Sequence, residues 1–341
     1  MTKVSAPGKI HLIGEHAVVY GEPTIISSVG LRTFVKAEKS SRISIDNLKT
    51  GFSYEWSVQD VMDIAKEAKN LWKEEKERND FSRVFKLIKK ESFQKVAVGT
   101  VLNRLEIDGG VNLELNTEIP LGSGLGSSAS LAVALTKAIS EVYGKGLSLE
   151  RVNEIAHEIE CFAHGTPSGG DNTACCYGGL VWFQKGNPNI IKPLNDEIGY
   201  KLENFILVYT KKPKKTTGEL VAHVRNLNPE FRDPRIKSIG EATREMLNAL
   251  KERNFEKVKE LINFAWKILS ELGLSVPEAD KIAEEVKRIG GAAKLCGACG
   301  GGIMLCYHED KEKLSETIRD LGYKPVQVEL GVEGVRIEKE M

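Results

Sequence analysis

Residues 119–130 read IPLGSGLGSSAS, with three glycines and four serines in twelve positions. The stretch follows GVNLELNT (110–117), which alternates like a strand, and precedes an apolar helical run, SASLAVALTKAISEVYG. A strand–loop–helix junction of this composition suits an anion. The first turn of a helix leaves N–H groups without partners and carries the positive end of the dipole. Glycines let that backbone approach phosphate oxygens closely. The hydroxyls of Ser127 and Ser128 could bind a phosphate or its metal ion. The loop is therefore expected to hold polyphosphate. It is neither a Walker loop, since no Gly-Lys-Ser/Thr occurs, nor a dinucleotide fingerprint, since no early βαβ unit surrounds it. Taken alone, the same residues also describe a tight turn with a serine at a helix start.

Three further stretches carry residues able to do chemistry. SAPGKIHLIGEHAVVYGEP (5–23) places Lys9 after a Pro-Gly step and Gly14-Glu15-His16 after a short apolar run. HGTPSGGDNTACCYGG (164–179) sets one acid, Asp171, among small residues, and KLCGACGGGIML (294–305) is a second glycine-rich turn. Singly, Lys9 and Asp171 read as ordinary ion-pair residues, and His16 as a satisfied core histidine. Glycine-rich segments recurring on separate parts of the chain, together with a phosphate loop, make a shared site the better reading.

These pieces need elements to hold them. Residues 2–8 and 24–38 are β-branched runs broken by Gly and Pro, expected as strands. The segment 58–105 carries apolar residues at helical spacing with dense charge of both signs. It is expected as two or more amphipathic helices with solvated faces, or as a partner or lid surface. Ser148 reads as the N-cap of a helix with Leu149, Val152, Ile155, Ala156 and Ile159 on one face. Residues 179–184 and 204–210 are strand-like, and helical patterns dominate beyond about 216. Ser275-Val-Pro-Glu reads as a capped helix start with proline in the first turn. A strand GIMLCYH, a helix near 310–320 and strands near 324–338 complete the chain. The boundary between two lobes is expected near 185–205, giving 1–195 and 196–341.

The bulk numbers exclude several classes. The 341 residues suffice for two lobes, and 41% hydrophobic with 28% charged residues is a globular balance. Lys+Arg and Asp+Glu both number 48, so charge supplies no argument for nucleic acid or an anionic membrane. No apolar stretch approaches the roughly 20 residues of a membrane helix. MTKVSAPGKI lacks a signal-peptide apolar block, and six cysteines do not make a disulfide scaffold, so a reduced, cytoplasmic protein is expected.

Together, GKIHLIGEHAVVYG, PLGSGLGSSAS, HGTPSGGDNTACCYGG and KLCGACGGGI resemble the motifs of the GHMP kinases, and within them those of the mevalonate kinases. GEHAVVYG is the mevalonate kinase form of the first motif, and Glu160 stands eleven residues before Asp171, as in those enzymes. The resemblance implies an α+β fold with a ribosomal-protein-S5-like N-terminal lobe and a ferredoxin-like C-terminal lobe. ATP and substrate would meet between the lobes, in an enzyme often found as a homodimer. It implies phosphoryl transfer from ATP, with Mg²⁺, to the 5-hydroxyl of mevalonate. Asp171 and Lys9 match the catalytic pair. Pro120, Gly122, Ser123, Gly124, Leu125, Gly126, Ser127 and Ser128 match the nucleotide loop, and Ser128 and Glu160 the metal ligands. Glu15, His16, Tyr177 and Thr217 would meet the substrate, although either Thr216 or Thr217 fits the threonine. His164 would support the loop. The nearest rivals are other GHMP kinases acting on phosphomevalonate, a different mevalonate hydroxyl or a sugar. For a phosphorylated acceptor, KKPKKTT (211–217) could supply cations.

The pattern departs from the family in places. Cys296 replaces a threonine and Cys299 a glycine, which puts the local backbone in doubt because φ > 0 is costly there. Gly170 stands where an aliphatic residue is common, and Cys175-Cys176 where small or β-branched residues are. The cysteines could pack as free thiols, form a labile redox pair or hold zinc.

Overall fold

The computed structural model describes residues 1–78, 80–120 and 122–339; Leu121 of the glycine loop lies outside them. In chain order the elements are β1 (Thr2–Ile13), β2 (Pro23–Ser40), β3 (Ile43–Asn47), β4 (Phe52–Trp56), α1 (Val58–Arg78), α2 (Ser82–Glu91), α3 (Phe93–Leu105), β5 (Gly110–Thr117), α4 (Ser127–Val142), α5 (Leu149–His164) and α6 (Gly170–Tyr177). There follow β6 (Leu180–Gln184), β7 (Ile190–Pro193), β8 (Leu202–Tyr209), α7 (Thr217–Arg225), α8 (Pro229–Lys251), α9 (Phe255–Glu271), α10 (Pro277–Arg288), β9 (Ala292–Leu295), β10 (Ile303–Tyr307), α11 (Lys311–Asp320), β11 (Pro325–Leu330) and β12 (Arg336–Ile337).

One sheet runs through the molecule in the order β4-β3-β5-β2-β11-β8-β10-β9. β2 is its hinge. Its β-branched, largely buried sequence pairs with β1 along most of its length, with β5 at one end and with β6 at the other. It meets β11, and through it β8 and β10, at the single register pair Leu330↔Val29. α4 packs on β1 and β2 on one side and on α3, α5 and α6 on others, so that Ala132, Val133, Ala134, Leu135, Ala138 and Ile139 are all fully buried. The helix starts against the middle of β1, where the Ser130 hydroxyl donates to the Ala6 carbonyl at 2.9 Å.

The 58–105 segment is three helices, and its last does not match the expectation of solvated faces. α1 and α2 bury one face each, whereas α3 is buried almost all round from Lys95 to Leu102 because α1, α4 and α5 all pack against it. At Gly99 a Cβ would stand 2.0 Å from the Val61 carbonyl oxygen, so only glycine permits that crossing. Ser148 caps α5 as expected, accepting from the Arg151 N–H. Ser275 does not cap α10. The N-cap is Val276, and the Ser275 hydroxyl donates to Asp280 instead.

The chain's last strand returns to its first. β12 pairs with β1. The Val335 N–H donates to the Cys176 carbonyl at 3.0 Å, and the Arg32 guanidinium donates to the carbonyls of Glu333 (2.9 Å) and Gly334 (2.6 Å). Among the described residues no helix is long and apolar enough to cross a membrane.

Candidate active site

A cleft of about 700 Å³ opens where β1, the glycine loop, α6, α7 and the turn after β9 converge. Lys9 reaches it from β1, just past a register shift at Pro7/Gly8, and its N–H donates to the Leu125 carbonyl at 2.8 Å. The strand is thereby tied to the loop. The Lys9 ammonium lies 2.9 Å from Asp171 Oδ2, with the lysine side chain 9% and the aspartate 36% exposed. Burial disfavours both charges. The pairing overrides it, holding the Lys9 pKa above and the Asp171 pKa below their ordinary values. His11, two residues on and therefore on the same face of β1, brings its Nε2 to 3.9 Å from Asp171 Oδ1.

Asp171 stands in the first turn of α6, a helix hidden in the sequence because Gly, Asp, Asn, Thr and two Cys are weak helix formers. Burial of Ala174, Cys175 and Cys176 against the neighbouring core outweighs that propensity. Gly170, where an aliphatic residue was expected, faces the Ile26 side chain, which a Cβ would meet at 2.6 Å.

The glycine loop ends at Gly126, the N-cap of α4, with φ 73°. A Cβ there would sit 2.6 Å from Lys9 Cγ. Gly126→Ala is expected to cost about 1–2 kcal/mol in backbone strain alone and to displace the Lys9 ammonium. Thermal melts would then show a lower midpoint, and steady-state assays a reduced kcat. Ser127 and Ser128 open α4, where first-turn N–H groups lack helical partners. Ser123 Oγ is buried without a hydrogen-bond partner among the described residues. Pro120 and Leu125, expected at the nucleotide, do not line the cleft. Pro120 is exposed, and Leu125 is buried in the core beneath and contributes its carbonyl to Lys9.

Ser128 Oγ donates to Glu160 Oε2 at 3.2 Å and lies 3.1 Å from His164 Nε2. Glu160 is 3% exposed, and its Oε1 has no partner among the described residues. Burial and then the Asp171 charge push its carboxyl up to about 8. A hydroxyl beside an orphaned buried carboxylate oxygen is a donor set that suits a hard divalent cation. His11, by contrast, is held down at about 3, chiefly by burial and then by Lys9; burial also lowers His16, His157 and His164. These shifts oppose each other in pH. As pH rises from the ordinary carboxyl range to about 8, the unfolded chain loses the Glu160 proton while the folded one keeps it, so stability falls. As pH drops below about 6.5 the unfolded histidines gain protons the folded ones refuse, and stability falls again. Chemical denaturation in EDTA is expected to give maximal stability near neutrality, with Glu160→Gln flattening the alkaline limb. A monotonic profile from pH 5 to 8.5 would contradict these assignments.

Glu15 and His16 follow β1 and both line the cleft. Glu15 forms a buried ion pair with Lys294 of β9, and its Oε2 has no partner among the described residues. His16 takes φ 59° and lies 3.0 Å from the Ala298 carbonyl through Nε2. Thr216 caps α7 in a reciprocal capping box with Glu219, whereas Thr217 lines the cleft. The two threonines are thus separated by local geometry. Tyr177 is not brought to the cleft. It ends α6, packs on the core with Cys176, and lies near Glu150.

Sequence reasoning missed His11 and Lys294. Period-2 alternation from Lys9 flags the first; the second sits in β9, where the sequence reads as the start of a glycine-rich turn. The glycine replaced by Cys299 is accommodated at a cost, since Cys299 takes φ 65°. All six thiols are free, and among the described residues no group of three or more His, Cys, Asp or Glu could hold a metal ion. Burial pushes Cys176 up to about 12 and Cys296 to about 11, so packing of neutral thiols is the reading this burial favours.

Family models for the GHMP kinases N terminal domain and the GHMP kinases C terminal match residues 83–179 and 246–324. The chain is 32% identical over 349 residues to the mevalonate kinase of Thermococcus sibiricus, covering 98% of this chain and 97% of that one. It belongs to the GHMP kinase family. Among solved structures, a mevalonate kinase crystal structure superposes with a TM-score of 0.79 at 26% identity, over 100% of both chains. The L. major mevalonate kinase in complex with R-mevalonate shares the fold at a TM-score of 0.76 and 22% identity, over 98% of this chain and 97% of that one. As a GHMP kinase, the chain is a phosphotransferase with a small-molecule alcohol as acceptor.

Proposed function

We propose that this GHMP kinase transfers the γ-phosphoryl group of ATP to the 5-hydroxyl of (R)-mevalonate, giving 5-phosphomevalonate for isoprenoid biosynthesis. The observation that carries the reading is the Lys9–Asp171 pair, 2.9 Å apart, facing the cleft beside the glycine loop at the start of α4. The near full-length identity to mevalonate kinases supports the choice of acceptor.

Phosphoryl transfer is mostly positioning and charge neutralisation. The backbone N–H groups of Gly122, Ser123, Gly124, Gly126 and Ser127 cradle the phosphates. Asp171, kept ionised by Lys9, accepts the proton of the attacking hydroxyl. Lys9 lies where negative charge accumulates on the transferring group and stabilises it. Ser128 and Glu160 would hold Mg²⁺, which neutralises phosphate charge when bound. Glu15, His16 and Thr217 line the acceptor end of the cleft.

A phosphorylated acceptor would need free cations there. Lys211 of the KKPKKTT segment is instead paired with Glu278 at 2.6 Å, and of that segment only Thr217 lines the cleft. We take the lobes as 1–195 and 196–341, with the β12 segment crossing back onto β1. The reading also includes a cytoplasmic homodimer, which sedimentation velocity would test.

The deciding experiment is a coupled ADP-release assay with mevalonate, phosphomevalonate and galactose as acceptors, followed by NMR of the product. Mevalonate is expected to be strongly preferred and phosphorylated at its 5-oxygen. Preference for either other acceptor would refute the assignment.

A further inference from the structure

His11 projects from β1 into the cleft beside the catalytic pair, and nothing in the phosphoryl-transfer scheme uses it. Its surroundings determine which ring nitrogen carries hydrogen. Nδ1 lies 2.9 Å from Thr24 Oγ1. That hydroxyl spends its own proton on the Ile13 carbonyl at 2.7 Å, so towards His11 it acts as acceptor and Nδ1 must donate. Nε2 points the other way. It stands 3.9 Å from Asp171 Oδ1, too far for a hydrogen bond, and has no hydrogen-bond partner among the described residues.

The charges around the ring favour the neutral form. Burial, the largest effect, disfavours an imidazolium, Lys9 and Lys294 do so too, and only Asp171 favours one. A neutral ring donating through Nδ1 leaves a bare lone pair on Nε2. Lys294 reaches across from β9 and donates to the His11 carbonyl at 3.2 Å, so the backbone at this residue is held from the other lobe.

Two acceptors therefore stand side by side in the cleft: Asp171 Oδ1 and His11 Nε2. One hydroxyl has one proton and satisfies one of them. A single-hydroxyl acceptor would leave the other lone pair facing a desolvated substrate, which is costly. Two donors spaced as in a 1,3-diol satisfy both. We propose that His11 is a specificity-determining residue that accepts a hydrogen bond from a second hydroxyl of the acceptor while Asp171 takes the reacting one. In mevalonate that second hydroxyl is the tertiary one on C3. The inference rests on the substrate reading above and adds the group that distinguishes a diol from a simple alcohol.

The alternative role for His11 is a strand tie, since its bond to Thr24 joins β1 to β2. A tie would be indifferent to the substrate's second hydroxyl. The experiment separates the two with mevalonate and its 3-deoxy analogue, using wild type, His11→Leu and His11→Gln, with melting curves for each protein. Wild type is expected to prefer mevalonate by about tenfold or more in kcat/KM. In His11→Leu, which keeps the buried volume, KM for mevalonate rises about tenfold with kcat little changed, and the preference over the deoxy analogue collapses towards unity. His11→Gln, whose amide oxygen reaches the same region, restores much of that preference; if the leucine variant folds poorly, His11→Phe, which likewise offers the hydroxyl no acceptor, takes its place with the same expected collapse.

An unchanged preference in folded His11→Leu overturns the proposal, as does a preference in folded His11→Gln no higher than that of His11→Leu, or a loss confined to kcat, which would place His11 at the reacting centre. Wild-type protein inactive on mevalonate but active on another acceptor would overturn the substrate reading and this inference together. Normal wild-type activity with an indifferent His11→Leu overturns this inference alone.

Discussion

Asp171→Asn is expected to lower kcat by about 10²–10⁴-fold, the range for loss of a positioned general base, while ATP affinity stays within a few-fold of wild type. Asparagine keeps the shape of the side chain and an oxygen for the Lys9 ammonium, which lies 2.9 Å from the carboxylate. What disappears is basicity. Burial alone would raise the Asp171 pKa; Lys9 reverses this and keeps the group ionised. The phosphate loop is carried by the start of α4 and makes no use of Asp171, so nucleotide binding is spared. A drop in kcat without a change in KM for ATP is the signature of an interaction made chiefly in the transition state. Steady-state kinetics and calorimetric titration of ATP read the two halves separately. Wild-type-like turnover would end the assignment.

Lys294→Met is expected to destabilise the fold by about 3–5 kcal/mol, the cost of breaking a buried ion pair from one side. Lys294 is 0% and Glu15 2% exposed. The lysine also donates to the His11 carbonyl, and Glu15 already has one oxygen without a partner among the described residues. Methionine fills the stem's volume but leaves the Glu15 charge stranded. Lys294→Met/Glu15→Gln removes that charge and is expected to recover most of the loss. Urea denaturation of both single variants and the double closes the cycle, and a coupling energy near zero would show that the pair contributes nothing. Because Glu15 lines the cleft, the single variant should also raise KM for the acceptor.

Legibility followed locality. The phosphate loop could be read because strand alternation, three glycines, two serines and an apolar helix all lie within a short window, and the N–H geometry of a helix start is intrinsic. Lys9 and Asp171 were legible as residues with a role, although their contact joins distant stretches of the N-terminal lobe that no periodicity connects. α6 was not legible, since its composition argues against a helix and tertiary burial overrides propensity. Tyr177 went astray for the same reason. Once residues 170–177 wind into a helix, its last residue packs into the core near Glu150 while Asp171, in the first turn, faces the cleft. Thr216 and Thr217 could not be ranked until the capping box assigned the first to the helix end.

By itself the chain's sequence determined the chemistry on offer: an anion-binding helix start, a lysine and an acid to serve it, and a composition free of membrane or nucleic-acid signals. Only the tertiary structure decided which groups meet. Lys294 and Glu15 lie 279 residues apart, and His11 is turned towards Asp171 by a strand register and a hydroxyl from the neighbouring strand. Local backbone physics acts over a few residues and is written where it acts. The energy of a buried charge or a bare lone pair depends on what the fold brings against it, and that is settled only when the sheet and the two lobes close.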